Sequence, residues 1–165
     1  MKRQQGFTVT ELMIAVVIMG VLATLAIPGF TSYIYKSRLT EATTFLGEIK
    51  QRQESYRDEF GRYLEVDGGA WNPAAIPTDP VSWTTTADWT TLGAAPDAPT
   101  RFQYATEAGV PGDLGPAGSN LDGSDHWFVA RAQGDLDEDG VPFQLEIYSA
   151  ANNIFNSATA TGGWE

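Results

Sequence analysis

The chain opens MKRQQGFTVTELMIAVVIMGVLATLAIPGF, and after Glu11 the residues from Leu12 to Ile27 pass without a single charge. Such a run needs lipid or protein around it, and it fixes how everything downstream can be arranged. A helix from Phe7 to Tyr35 would extend roughly 43 Å at about 1.5 Å per residue, enough to cross a hydrocarbon layer of about 30 Å. Glu11 is the anomaly at its head, because a carboxylate near hydrocarbon costs on the order of 2.5 to 3.5 kcal/mol even on lenient insertion scales.

Two ordinary readings leave that residue unexplained. A secretory signal peptide accounts for Lys2 and Arg3 and offers Thr24-Leu25-Ala26 as a cut site, while a plain membrane anchor accounts for the length. A third reading uses the whole stretch. Gly6-Phe7-Thr8-Val9-Thr10-Glu11-Leu12-Met13 resembles the processing site of type IV pilins and their relatives: a short basic leader, a glycine, an aromatic first residue and an acid four positions later. Ile14 to Ile27, Pro28-Gly29-Phe30, Tyr33, Lys36-Ser37 and Glu41-Ala42 continue the pattern. Thr8-Val9-Thr10 is more polar than the family's usual Thr-Leu-Ile.

The resemblance implies cleavage between Gly6 and Phe7 by a prepilin peptidase and methylation of the new amine on Phe7. Glu11 then acquires a role, since a buried charge is tolerable when paired and the Phe7 ammonium lies four residues away, on the same helix or on a neighbouring subunit. Pairing between neighbours would turn the cost of placing Glu11 in lipid into a drive to associate, and would set the axial register.

After Phe30 the apolar positions continue at helical spacing: Tyr35, Leu39, Ala42, Leu46, Ile49, Gln53, Tyr56 and Phe60. Charged residues between them keep the other face wet. The spacing predicts an amphipathic second half to the helix, ending near Gly61. Gly20, Pro28 and Gly29 are the points of flexibility, expected to kink or loosen the junction. From Glu65 to Pro99 the sequence reads as a long irregular region, and its Trp71, Trp83 and Trp89 are expected chiefly to cover the helix stripe, with an exposed adhesive surface as the other reading. Strand patterns follow at Arg101–Thr106, Trp127–Arg131 and Phe143–Tyr148. The expected fold is α+β: a long N-terminal helix packed on a small antiparallel sheet of three or four strands, as in the pilin fold. Residues 1–6 form a leader, 7–35 the apolar helix and 36–63 its amphipathic half; residues 64–165 complete the globular head. Ile154, Phe155 and Trp164 are the anchors expected in the tail.

Charge and cysteine content narrow the function. The chain carries 21 acids against 10 bases, a formal net charge of −11, and most of the acids follow Arg62. An acidic C-terminal half argues against general nucleic-acid binding. There is no cysteine, so the disulfide-closed C-terminal loop of many major pilins is missing and something else must hold this end. Asp135-Leu-Asp137-Glu-Asp139-Gly140-Val141 with Glu146 fits the calcium-loop pattern of acids at positions one, three and five, glycine at six, a carbonyl at seven and glutamate at twelve. Strand-like flanks and Pro142 count against it, and a solvated Asp-Gly turn is the alternative. The crowding of four acids in five residues favours calcium, expected to staple the last two strands. His126 reads as a hairpin-edge residue, and no nucleophile motif or phosphate loop stands out, so a non-enzyme is expected.

The resemblance implies a structural subunit of a type IV pilus or related filament serving motility, adhesion or uptake. Its expected partners are other pilins, the prepilin peptidase, the inner-membrane assembly platform and the membrane. It would reside in a bacterial inner membrane before assembly and in a cell-surface or periplasmic filament afterwards. A type II secretion pseudopilin is the nearest alternative, and a membrane-anchored extracytoplasmic binding module is the alternative of another class.

Overall fold

The computed structural model describes residues 6–116, 119 and 121–156, with the side chains of 28, 29, 31 and 32 set aside. Residues 1–5 of the expected leader and Trp164 lie outside the described residues. One helix, α1, spans Val9–Phe60 and its 52 residues extend about 78 Å at about 1.5 Å per residue. It runs unbroken through Gly20, Pro28 and Gly29, so the expected loosening at those positions does not interrupt the helix of the single chain. Gly61 ends it in the left-handed conformation, φ 72°, and donates its N–H to the Arg57 carbonyl. That conformation is cheap only for glycine.

Ala42, Phe45, Leu46, Ile49 and Gln53 on α1 are buried beneath a four-stranded antiparallel sheet. The strands are β1 (Gln103–Gly109), β2 (Trp127–Gly134), β3 (Phe143–Tyr148) and β4 (Phe155–Asn156), in that spatial order. Tyr104, Phe128, Ala130, Ala132, Leu145 and Ile147 turn inward to meet the helix. Each large apolar side chain buried here contributes roughly 1.5 to 3 kcal/mol. The α+β plan is the one expected from the sequence, with β1 beginning at Gln103 instead of Arg101 and running on to Gly109, and β2 running past Arg131 to Gly134.

The apolar stripe does not stay covered to its end. Phe60 is exposed and stacks on Tyr56 at a centroid distance of 4.4 Å instead of lying under the sheet. Phe45, one position off the spacing, is a core residue the periodicity overlooked. Its ring lies 4.6 Å from Tyr104 and 5.7 Å from Trp83.

The region from 65 to 99 is more ordered than its composition suggested. It holds a 3₁₀ turn at Asp67–Gly69 and a short helix, α2, at Ala87–Leu92, capped by the Thr86 hydroxyl. Trp89 is fully buried and Trp83 packs edge-on against it, so both cover the helix stripe. Asn72 exchanges two backbone hydrogen bonds with Tyr104, each 2.8 Å, and the Gln103 side-chain amide donates to the Pro73 carbonyl. The loop thereby serves as a partial extra strand along the free edge of β1, which leaves less of that edge unpaired.

Three polar contacts hold the head in a chain without disulfides. The Gln53 amide pairs in both directions with the backbone of Leu64, its Nε2 donating to the carbonyl at 2.6 Å and its Oε1 accepting from the N–H at 2.9 Å. Arg131 on β2 reaches Glu107 on one side at 2.6 Å and Glu146 on the other at 3.4 Å. Lys50 on α1 donates to the carbonyls of Tyr148 and Ala151, and thus ties the chain leaving β3 back to the helix. Ile154 packs against the core and Phe155 lies against Tyr148, which completes the hold on the described part of the tail.

Gln53→Ala would remove the partner of both backbone groups of the half-buried Leu64, at about 1 to 3 kcal/mol in all. A drop of that order in unfolding free energy, followed by denaturant titration of the detergent-solubilised chain, is the expected outcome.

Candidate functional site

Two places in the fold carry the residues singled out by the sequence: the start of α1 and the turn between β2 and β3.

At the first, Gly6 to Thr8 precede the helix and Phe7 is 84% exposed. The peptide bond between Gly6 and Phe7 is therefore outside the helix ladder. Thr8 is the N-cap. Its hydroxyl accepts from the Glu11 N–H at 3.3 Å, while Glu11 Oε2 accepts from the Thr8 N–H at 2.9 Å and from the Thr8 hydroxyl at 2.8 Å. This is a reciprocal capping box, and it gives Glu11 a local role besides any charge pairing. The signal is present in the sequence as Thr8-x-x-Glu11, and Thr8 is the capping residue that a reading of Glu11 as a charge alone leaves out. The other carboxylate oxygen of Glu11 makes no hydrogen bond among the described residues, so the cap leaves room for an ammonium at Phe7 of the same or another chain.

The helix that follows has no cover of its own. Val9–Ile27 is long and apolar enough to cross a membrane, and none of it is buried within the chain. In the head, the second half of the same helix is packed.

The turn between β2 and β3 brings the carboxylates of Asp135, Asp137 and Asp139 together, with one oxygen of each within 4.8 Å of the others. Glu138 and Gly140 adopt left-handed φ values of 60° and 84°, which curl the backbone around the three acids. The Gly140 N–H donates to Asp135 Oδ2 at 2.9 Å, and the Val141 N–H donates to Asp139 Oδ1 at 2.7 Å. Asp135 Oδ1 is buried with no hydrogen-bond partner. Partial desolvation raises Asp137 above the ordinary carboxylate value, and the Asp135 and Asp139 carboxyls push it the same way.

The expected ligand set is only partly assembled. Glu146 lies within β3, opposite Arg131, where its oxygens engage Arg131, Gln144 and the Tyr148 hydroxyl. The strand pairing that puts it there holds it away from the turn. The cause is the one seen in the sequence: β-flanks and Pro142 replace the helix that would return a twelfth-position glutamate to the loop. The turn also joins β2 to β3, the central pair, and not the last two strands, because β4 adds at the edge. Tyr148, pressed by burial and by its bond to Glu146, has its pKa raised to about 12.

A second polar cluster lies at the far end of α1, where the Arg57 guanidinium pairs with Asp125 at 2.7 Å, donates to the Tyr63 hydroxyl at 3.0 Å and lies over the Tyr63 ring, 5.1 Å from its centroid. His126 follows Asp125 at the mouth of β2. Its Nδ1 lies 3.6 Å from Asp125 Oδ1, and the strand it leads into is central in the sheet and not at its edge.

Residues 1–27 match the family model described as the prokaryotic N-terminal methylation motif. The chain is 44% identical over 63 residues to the type IV major pilin protein PilA of Myxococcus xanthus, covering 38% of this chain and 29% of that protein. It is 44% identical over 55 residues to a fimbrial protein of Pseudomonas aeruginosa, covering 33% and 36%. With the type II secretion system core protein G of Dickeya chrysanthemi it shares 30% identity over 79 residues, covering 48% and 52%. The matched stretches thus span from about a third to about half of each relative's length.

A raised carboxyl group binds its proton more readily folded than unfolded, so Asp137 lowers stability as pH climbs above the ordinary carboxylate range. In a chelator at neutral pH, Asp137→Asn is expected to raise the melting temperature, with the difference vanishing at acidic pH; thermal scans at several pH values check it.

Proposed function

We propose that this type IV pilin-like chain is a structural subunit of a filament, cut between Gly6 and Phe7 by a prepilin peptidase and assembled from a bacterial inner membrane. The observation that carries the reading is the junction at Thr8. There an accessible glycine-aromatic bond, a capped carboxylate at Glu11 and an uncovered apolar helix follow one another within a few residues. The pilin and fimbrial names of the relatives support it, and the match over residues 1–27 supports methylation of the Phe7 amine.

The mechanics follow from the helix. In the membrane, lipid covers Val9–Ile27. In a filament, the same face packs against copies of itself in a dry centre, so extraction from lipid loses little apolar burial. The Phe7 ammonium neutralises Glu11 of an adjacent copy, which makes an unpaired subunit costly and a paired one stable. Gly20, Pro28 and Gly29 supply the points where the helix lengthens under packing, with proline already lacking one ladder bond. The acidic head faces outward. The chain has no catalytic part in this scheme; its chemistry is done on it by processing enzymes.

A type II secretion pseudopilin is the second reading, favoured by the protein G relative, which shares the longest of the three matched stretches. The Asp135, Asp137 and Asp139 cluster enters either reading as a calcium site: the buried, unpartnered Asp135 Oδ1 and the crowding that raises Asp137 are both relieved by a cation. Glu146 is not among its ligands, so weak, millimolar-range binding is the expectation.

Intact mass and N-terminal sequencing of the membrane-extracted protein test the main reading. A chain beginning at Phe7 with one extra methyl is expected; a start near Ile27 or retention of Met1 would refute it. Glu11→Ala should leave cleavage intact and abolish fibre yield. Millimolar calcium should raise the melting temperature of the wild type and leave Asp137→Ala unchanged, measured by calorimetry.

A further inference from the structure

A groove of about 450 Å³ runs along α1 just above the apolar span. One wall is the helix face carrying Ser37, Thr40 and Thr44, whose short side chains leave space, and the other is the loop Pro96–Pro99. Its rim is acidic. Asp97 is exposed, and Glu41 uses Oε1 to hold the Thr100 hydroxyl at 2.7 Å and the Arg101 N–H at 3.0 Å. Neither Asp97 nor Glu41 has an ion-pair partner among the described residues. Lys36 and Arg38, on the first turns after the span, are in the same position: no carboxylate lies within ion-pair distance of either among the described residues, and Arg38 rests over the Tyr35 ring at 6.0 Å. Of the groove's acids, Glu48 is paired with Arg52 at 3.7 Å, whereas Glu41 and Asp97 carry no ion pair among the described residues, and the basic segment that carries none either begins on the same turns of α1.

They do not meet within one chain, but a second copy can bring them together. If the Phe7 amine of one copy sits beside Glu11 of the next, the two helices are offset by four residues, about 6 Å at about 1.5 Å per residue. The same offset sets Lys36 and Arg38 of the first copy level with Thr40 and Ala42 of the second, beside Glu41 and the Asp97 loop. One displacement thus satisfies two charge pairs about 27 residues apart, roughly 40 Å along the helix.

We propose that this groove is the docking site for the Lys36–Arg38 segment of a neighbouring copy of this chain, in the register set by Phe7 and Glu11. The proposal rests on the filament reading above. The contact is heterologous, basic segment to acidic groove, so it leaves one groove and one segment open at the two ends and propagates without closing. It also lies in water at the base of the head, where the apolar helices alone would leave the axial position free to slide.

The full chain in a bacterium that assembles it provides the test. Arg38→Cys and Asp97→Cys are co-expressed as two separately tagged variants; the protein has no cysteine of its own, so a short bis-maleimide applied to sheared fibres reports only these positions. A mixed dimer is expected as the main product, absent from fibres of either variant alone. Fibres that yield no mixed dimer would overturn the groove as the contact. Should the cysteine variants not assemble, charge reversal decides: Asp97→Lys is expected to lower fibre yield about tenfold, and Arg38→Glu in the same chain to restore it. Wild-type yield from Asp97→Lys, or no restoration, overturns the proposal. Wild-type chains trimmed to Phe7 that form no fibre at all would instead remove the filament reading beneath it.

Discussion

Continuity of one helical hydrogen-bond ladder from Val9 to Phe60 is the constraint on which the remaining structure depends. A helix satisfies its own backbone wherever it goes, so this one can leave a lipid or protein interior and enter water without rearranging its main chain. What changes along it is the side-chain surface. Its first half offers apolar groups in all directions, whereas the second half offers a stripe from Ala42 to Gln53 that the sheet covers. The two halves therefore share one main-chain ladder while presenting different surfaces.

The head itself shows how a modest domain is held without disulfides. Its apolar core is small, and polar contacts of long sequence separation close it. Gln53 takes the place of a strand neighbour for Leu64, Lys50 gathers the carbonyls of Tyr148 and Ala151, and Arg131 joins Glu107 to Glu146 across three strands. Such buried or half-buried polar pairs add little net stability over well-packed apolar groups, but they are costly to break one-sidedly. Register is the property they protect. A slip of β3 by one residue would turn Glu146 inward and Leu145 out.

The acidic turn illustrates how a local pattern can be right in part. Asp135, Asp137 and Asp139 converge because alternate residues of a tight turn share a side. Glu146 does not join them, because β-pairing fixes it beside Arg131. A twelve-residue motif is a statement about two local geometries, and here only the first, the turn, is the one the motif assumes. The four-residue capping pattern at Thr8 and Glu11 lies wholly within one geometry, and it formed in full.

Much of the architecture was legible in the sequence because it rests on short-range periodicity: the apolar run, the helix stop at Gly61 and the alternation within β3. Each depends on neighbours a few residues apart, where chain geometry leaves few options. Tertiary structure decided the rest. Phe60 continues the stripe by spacing yet is exposed, since the sheet does not reach it; Phe45 breaks the spacing yet is buried, since Trp83, Trp89 and Tyr104 converge on it from far along the chain. The choice of Arg131 over the turn as the partner of Glu146, and the groove between α1 and Pro96–Pro99, likewise arise only when distant segments are packed together. The sequence alone determined which surfaces need a partner; packing determined which of them find one inside the chain.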